Sequence, residues 1–444
     1  MEVEKQNIEY KRIWKDEYLK WVCGFANAAG GKIYIGVNDD KEVIGVDNIK
    51  KWSEDIPNKV LNILGIIVDV NILKDAISDN DYIEIIVDPY PYPVNYKGEY
   101  YYRCGSTKQE LKGTALNKFL LERAGRKWDS VPNPKITVDD LSLLALGRFR
   151  REAARSGRVD EEVLNDSTEH LLQDLRLFDE STGYLKSAAV LLFYSDLERF
   201  FTGAYIKIGF FVKDDANLAF QDEVHGSLME QIEKAFDLIK TKYITYAISY
   251  EGVSRRETPT FPEKALRESL LNAICHKDYS SGIPIQISVY PDHIVFWNPG
   301  TLPEQMPVER LFQKHSSIPY NPDIANTLFR CGDIEAWGRG YRKILNAVLE
   351  NKLLPPQIEI MGGLMLTYYA GVRTQLLAEN VDERIIQIVE YVAINGSITN
   401  STIQKLLNVS KVTATRLIWK AEKWLIQEGK VGQGTRHIFK WNIG

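Results

Sequence analysis

The sequence predicts an α+β chain of several domains: a small α+β domain over residues 1–130, an α/β sandwich over 135–375 and a winged helix-turn-helix over 380–444. Three observations carry this. Helix-spaced apolar segments interleave with short alternating ones through most of the chain. Pro132-Asn133-Pro134 interrupts that pattern at a natural boundary. After Asp382 the chain switches to three short capped helices followed by a glycine-rich hairpin.

In the N-terminal part, residues 16–29 read as an amphipathic helix with Leu19, Val22, Phe25 and Ala26 on one face. Gly30-Gly31 breaks it into a strand over 32–37, and further strands are expected over 82–87 and 100–103. The middle part alternates helices with strands such as 285–290 and 293–297. Its strongest helix pattern, Glu263 to Ala273, sets Glu268 and Asn272 four residues apart and so on one face.

The tail opens with a helix from Glu383 that stops at Asn395-Gly396. Thr399 suits an N-cap for a second helix lined by Ile403, Leu406 and Leu407. Asn408-Val409-Ser410 makes a tight turn, and Ser410 caps a third helix expected to run to about Gln427, with Leu417, Ile418, Ala421 and Leu425 inward. Lys411, Thr413, Thr415, Arg416 and Lys420 then face outward, a set suited to a DNA major groove. The stretch from Lys430 to Lys440 reads as the wing, a hairpin with the cation Arg436 near its tip. Residues 382–444 hold nine Lys/Arg against five Asp/Glu, about +4 in a chain of net −5. A basic module on an acidic body is what attraction to phosphate would select. The competing use of such a module is dimerisation or protein contact.

The middle part carries four phrases: Glu263 to Ala273, His276-Lys277-Asp278-Tyr279-Ser280, Asn298-Pro299-Gly300 with Asn321-Pro322-Asp323, and Glu335-Ala336-Trp337-Gly338-Arg339-Gly340. A Glu that orients water and an Asn that binds a divalent cation make chemical sense on one helix face, and a glycine pair opening a helix offers free N–H groups to phosphate. In order and spacing the phrases resemble the divergent GHKL-type ATPase domain of RecG-helicase-like transcriptional regulators. That resemblance implies Glu268 as general base and Asn272 as magnesium ligand, with ATP held near Asn298, Gly300, Gly338 and Gly340. Two departures stand out. The adenine-reading Asp-x-Gly-x-Gly of true GHKL enzymes is replaced by Asn298-Pro299-Gly300, and Tyr320 stands where an Arg is usual.

The N-terminal part holds a second string: Glu4 to Glu9-Tyr10-Lys11, then Phe25-Ala26-Asn27-Ala28-Ala29-Gly30-Gly31, Ile35-Gly36-Val37-Asn38-Asp39 and Tyr102-Arg103-Cys104-Gly105-Ser106. It resembles the Schlafen AlbA-type domain, with Lys5 in place of the usual Ser. In some Schlafen proteins two Glu and an Asp cleave RNA with a metal, which implies Glu4, Glu9 and Asp39 as catalytic here, with Glu9 and Asp39 on Mg²⁺. Clustered carboxylates of that kind need a cation to offset their repulsion. Two further readings stand beside it: nucleic-acid binding without cleavage, with Lys11, Arg12, Arg103 and Lys108 near the backbone, and a structural or ligand-sensing role.

Four cysteines, Cys23, Cys104, Cys275 and Cys331, lie far apart with no CxxC pair, which fits a reducing cytoplasm rather than a disulfide framework or zinc knuckle. The charged N-terminus lacks the apolar core of a signal peptide, and no apolar run is long enough to span a bilayer. The resulting expectation is a cytoplasmic DNA-binding transcriptional regulator, dimeric on two half-sites, that carries a degenerate nucleotide domain. The alternative is a metal-dependent Schlafen-type nuclease acting on RNA or DNA, with a defence role.

Overall fold

The structure is a computed structural model that describes residues 6–38, 40–251, 254–302, 306–313, 316–335, 338–428 and 435–442. It divides into two compact units, Met1–Lys127 and Trp128–Gly444.

In the first unit a four-stranded sheet runs in the order Ile8–Lys11, Gly31–Ile35, Asp81–Val87, Asp69–Lys74. The first pair is parallel and the other two antiparallel. The helix expected over 16–29 is shorter, Leu19–Ala26 after a 3-10 turn. Its face is the expected one: Leu19, Val22, Phe25 and Ala26 are all fully buried, against Ile33, Ile35, Ile83 and Ile85 of the sheet. The glycine pair explains the sharp entry into the second strand. Gly30 has φ +77°, and a Cβ on Gly31 would fall 2.4 Å from the Phe25 ring. The strand expected near 100 is Tyr101–Cys104, paired with Thr107–Glu110. The helix Ile49–Leu64 and the strand Asp69–Lys74 had no counterpart in the sequence reading.

The second unit is built on a six-stranded sheet ordered Leu218–Val224, Ile206–Phe211, Ile285–Val289, His293–Asn298, Leu364–Tyr369, Gln357–Ile360. The helices Leu228–Leu238, Glu263–His276 and Gly340–Glu350 pack together, the second of them against the strand His293–Asn298. Inward sheet residues such as Ile206, Ile208, Ile287 and Ile294 join Leu266, Leu270, Leu271 and Ile344 of the helices in one core. A mixed sheet with helices packed on it is thus present, in line with the expected α+β class.

The tail is continuous with this unit. Leu354, Val372 and Leu376 share a core with Ile386, Val389, Ile403, Leu417 and Phe439, and Arg373 bridges Glu383 (2.5 Å) and Glu390 (3.1 Å). Its helices are Glu383–Asn395, Asn400–Leu407 and Lys411–Lys420. The caps fall where the sequence placed them: Thr399 accepts from the Thr402 N–H, and Ser410 accepts from the Thr413 N–H. The third helix, expected to reach Gln427, ends at Lys420. Leu425 is buried as part of a strand instead, Leu425–Glu428, opposite Phe439 in the pairing with Arg436–Phe439. That cross-strand partner outweighs the i, i+4 spacing that suggested helix. The hairpin expected from Lys430 therefore begins upstream of it, at Leu425, and residues 429–434 lie outside the described residues.

Candidate functional site

The third tail helix presents one exposed face. Asn408 turns the chain at φ +51°, so that Lys411–Lys420 leaves the preceding helix with Lys411, Arg416 and Lys420 exposed. Among the described residues none of these three cations is held in an ion pair. Thr413 and Thr415, expected to face a groove, are half-buried and locally engaged. The Thr413 hydroxyl bonds Ser410 Oγ at 3.0 Å, and Thr415 Oγ1 donates to the Lys411 carbonyl while accepting from Asn400 Nδ2 at 2.9 Å. Thr415 thus ties the helix to the preceding one, and Thr413 closes its own N-terminal cap. Sequence reasoning missed Val412 (79% exposed) and Trp419 (68%), which flank Arg416 on the same face. Arg436 is tied to Glu428 across the strand pair Leu425–Glu428 and Arg436–Phe439.

In the middle part, Glu268, Asn272, Gly338 and Gly340 come together around a small cavity of about 80 Å³. Glu268 is buried, and burial raises its pKa although the Lys343 and Arg267 charges pull it back. Gly340 is essential to the packing: a Cβ there would lie 2.6 Å from Glu268 Oε1 and 3.2 Å from Asn272 Oδ1. The first turn of Gly340–Glu350 therefore rests directly on the Glu268–Asn272 face. The Asn272 side-chain N–H₂ is buried there with no hydrogen-bond partner among the described residues.

Asn298 and Gly300, expected to hold nucleotide, do not line this cavity. They belong to a structural corner at the end of the Glu263–His276 helix. The Asp278 N–H donates to the Pro299 carbonyl at 2.6 Å, and a Cβ on Gly300 would meet the His276 carbonyl at 2.3 Å. Asn321 Nδ2 donates to the Cys275 (3.1 Å) and Lys277 (2.8 Å) carbonyls, capping that helix from a distant loop. Three of the four middle phrases thus knit one corner of the fold. What remains among the described residues is a small cavity. Small-molecule sites run to about 300 Å³ and more, against about 80 Å³ here.

In the first unit, Glu9 and Arg103 form a buried ion pair, Oε2 to Nη2 at 2.8 Å. Lys11 takes the other carboxylate oxygen. Arg103 is 0% exposed, donates to the Gln6 and Ile8 carbonyls at 3.3 Å and lies 5.1 Å from the Phe25 ring centre. It closes the outer edge of the first strand and presents nothing to a phosphate, which corrects the expectation for Arg103. Glu9, expected as a catalytic metal ligand, has cations of its own chain at both oxygens, where a metal would have to approach. Glu4 and Asp39 lie outside the described residues. Among the described residues no group of three or more His, Cys, Asp or Glu could hold a metal ion.

Beside this pair lies an open groove of about 520 Å³ lined by Lys11, Arg12, Ile13, Lys15, Tyr18 and Trp21 together with Tyr10. Lys11 Nζ stands 5.2 Å from the Trp21 ring centre and Lys108 Nζ 4.4 Å. Lys11, Arg12 and Lys108 are thus the expected cations that do reach or border an open surface.

Residues 4–112 match the family model described as Schlafen, AlbA_2, and residues 282–367 match that described as Putative ATP-dependent DNA helicase recG C-terminal. The second match begins beyond the Glu263–His276 helix, so Glu268 and Asn272 fall outside it. A crystal structure of the DIP2311 protein from Corynebacterium diphtheriae is similar over 98% of this chain and 92% of its own, at 18% identity and a TM-score of 0.48. No curated protein matches the chain. The two family matches suggest a nucleic-acid-related protein. Among the described residues no helix is long and apolar enough to cross a membrane.

Proposed function

We propose that the chain is a DNA-binding transcriptional regulator that lays the helix Lys411–Lys420 in the major groove of duplex DNA. The observation that carries this is the exposed face of that helix, where Lys411, Arg416 and Lys420 stand outside any ion pair among the described residues while Thr415 ties the helix to Asn400 of the preceding one. Arg416 sits mid-face and is the residue suited to a base edge or a phosphate; Val412 offers an apolar contact to a thymine methyl. One small module gives limited affinity, so the reading includes a homodimer on two half-sites, working in the cytoplasm. The test is fluorescence anisotropy with duplex DNA selected from a random pool by the full chain. Arg416→Ala should weaken binding by about 1–3 kcal/mol, roughly ten- to a hundredfold, with the thermal midpoint unchanged. Unaltered affinity in both Arg416→Ala and Lys420→Ala would remove this helix from the reading, and light scattering on the complex reports the dimer.

A second nucleic-acid contact has its own support. The groove at Lys11, Arg12, Lys15, Tyr18 and Trp21 combines cations with aromatic rings, the pairing that serves phosphates and stacked bases of a single strand. The nuclease alternative is disfavoured by the pairing of Glu9 with Arg103 and Lys11. Incubating labelled single-stranded RNA and DNA with Mg²⁺ or Mn²⁺ separates the two: retention without cleavage supports the groove, and metal-dependent cleavage would restore the nuclease.

A further inference from the structure

We infer that Lys343 is a built-in counter-ion for the Glu268–Asn272 cavity, standing where a divalent cation would otherwise neutralise the buried carboxylate, so that the native site takes neither the cation nor a nucleotide. This goes beyond the DNA-binding reading and does not depend on it.

Three elements converge on the point. Glu268 comes from the middle of Glu263–His276, Glu335 from the segment before Gly338, and Lys343 from the first turn of Gly340–Glu350. Lys343 Nζ lies 3.1 Å from Glu335 Oε1 and 3.8 Å from Glu268 Oε2. A carboxylate as buried as Glu268 cannot remain charged in an apolar pocket without a nearby cation. Of the groups that face it, Lys343 and Arg267 are the positive ones, and Arg267 is committed to Asp333 through both the side chain and the carbonyl. That leaves Lys343 to bridge the two glutamates, as a metal ion would.

The placement of Lys343 follows from Gly340. Because residue 340 has no side chain, the helix start can settle on Glu268 and Asn272, and residue 343 then sits one turn along, on the same side. The same approach fills the space. The cavity of about 80 Å³ that is left has Leu302, Met306, Leu311, Ile318 and Tyr341 as its apolar lining. A triphosphate brought to this point would meet the Glu268 and Glu335 carboxylates, with Arg339 at the rim as the further cation among the described lining residues.

The full-length chain tests this by thermal unfolding and equilibrium dialysis. The native protein should show no shift of the midpoint with Mg²⁺ or Mn²⁺ and no retention of ATP with Mg²⁺ at concentrations up to ~1 mM. Lys343→Gln should lower the midpoint, and Mg²⁺ or Mn²⁺ should then restore about 3 °C or more, because the divalent ion takes the vacated role. Lys343→Arg should need no divalent ion, and Lys343→Gln with Glu268→Gln should lose the response, which separates this site from weak binding elsewhere on an acidic protein. A Lys343→Gln variant indifferent to both ions would overturn the inference. So would saturable retention of ATP with Mg²⁺ by the native chain, a measurement that stands even if the Lys343 variants do not fold.

Discussion

Replacing Glu9 with alanine distinguishes a structural carboxylate from a catalytic one. Arg103 is fully enclosed, its charge is balanced by Glu9 at 2.8 Å, and it also donates to the Gln6 and Ile8 carbonyls. Removing one partner of a buried pair strands the other charge and costs about 3–5 kcal/mol. For a unit the size of Met1–Lys127, a loss of that order moves the thermal midpoint down by roughly 10–20 °C. Calorimetry of the full chain should show a lowered transition, and hydrogen exchange should assign it to the peptides covering Leu19–Ala26 and Gly31–Ile35. The control is the paired replacement Glu9→Leu with Arg103→Met, which removes both charges at similar volume. It should recover all but about 1–2 kcal/mol, since a well-packed apolar pair commonly matches a buried ionic one. If Glu9→Ala unfolds at the native temperature, the pairing argument fails. If it does so while abolishing metal-dependent cleavage of RNA or DNA, Glu9 is a catalytic ligand after all.

Three further outcomes are expected. Burial, reinforced by the Asp323 charge, pushes the Asp129 carboxyl from 3.8 up to about 7. Because the folded value lies above the unfolded one, the stability tied to its protonated form is complete below about pH 4 and is lost as pH rises through about 7. At ~1.4 kcal/mol per pH unit this amounts to at most ~4 kcal/mol. Urea unfolding between pH 5 and 8 should show the slope in the native chain and a flatter one in Asp129→Asn; equal slopes would assign it to another group. Gly340→Ala would set a methyl 2.6 Å from Glu268 Oε1 and should cost about 1–3 kcal/mol, despite the better helix propensity of alanine, by urea midpoint. An unchanged midpoint would mean that the helix start can lift off Glu268. Ser410→Ala removes the cap of the exposed helix and should cost about 1 kcal/mol, read as a lower midpoint for the tail and weaker DNA binding; a neutral effect on both would show that the turn at Asn408 alone fixes that helix.

What the sequence made legible was local. The caps at Thr399 and Ser410, the stop at Gly396 and the break at Gly30-Gly31 each depend on residues within four positions of one another, and each stands where it was expected. The errors are non-local. Leu417, Ile418, Ala421 and Leu425 fit a helical stripe, but Phe439, far along the chain, turns Leu425 into a strand residue. Arg103 looked like a surface cation because its partners, Glu9 and the Gln6 and Ile8 carbonyls, are about 95 residues away. Ile49–Leu64 carries Pro57 inside it, which counts against a helix in sequence yet is tolerated where its Ile56 and Val60 face the core.

The middle part shows why a matching order of phrases does not by itself carry chemistry. Both phrases have a mechanical use here: Asn321 meets the Cys275 and Lys277 carbonyls at the end of the Glu263–His276 helix, while Pro299 accepts the Asp278 N–H and Gly300 leaves room for the His276 carbonyl. Glu268 and Asn272 also keep their facing geometry, which is what the sequence could report. Whether that geometry serves a ligand is decided by Lys343 and Gly340, residues of ordinary type in an ordinary amphipathic helix. A lysine one turn into that helix supplies by covalent attachment the charge that a metal would supply by binding, and it holds its place at every concentration of metal. With its electrostatics internal, this part of the fold suits a rigid support for the tail helices that share its unit better than a switch. The two roles make opposite demands on Lys343→Gln: a support should lose stability and regain it with Mg²⁺, whereas a disabled switch should gain affinity for nucleotide.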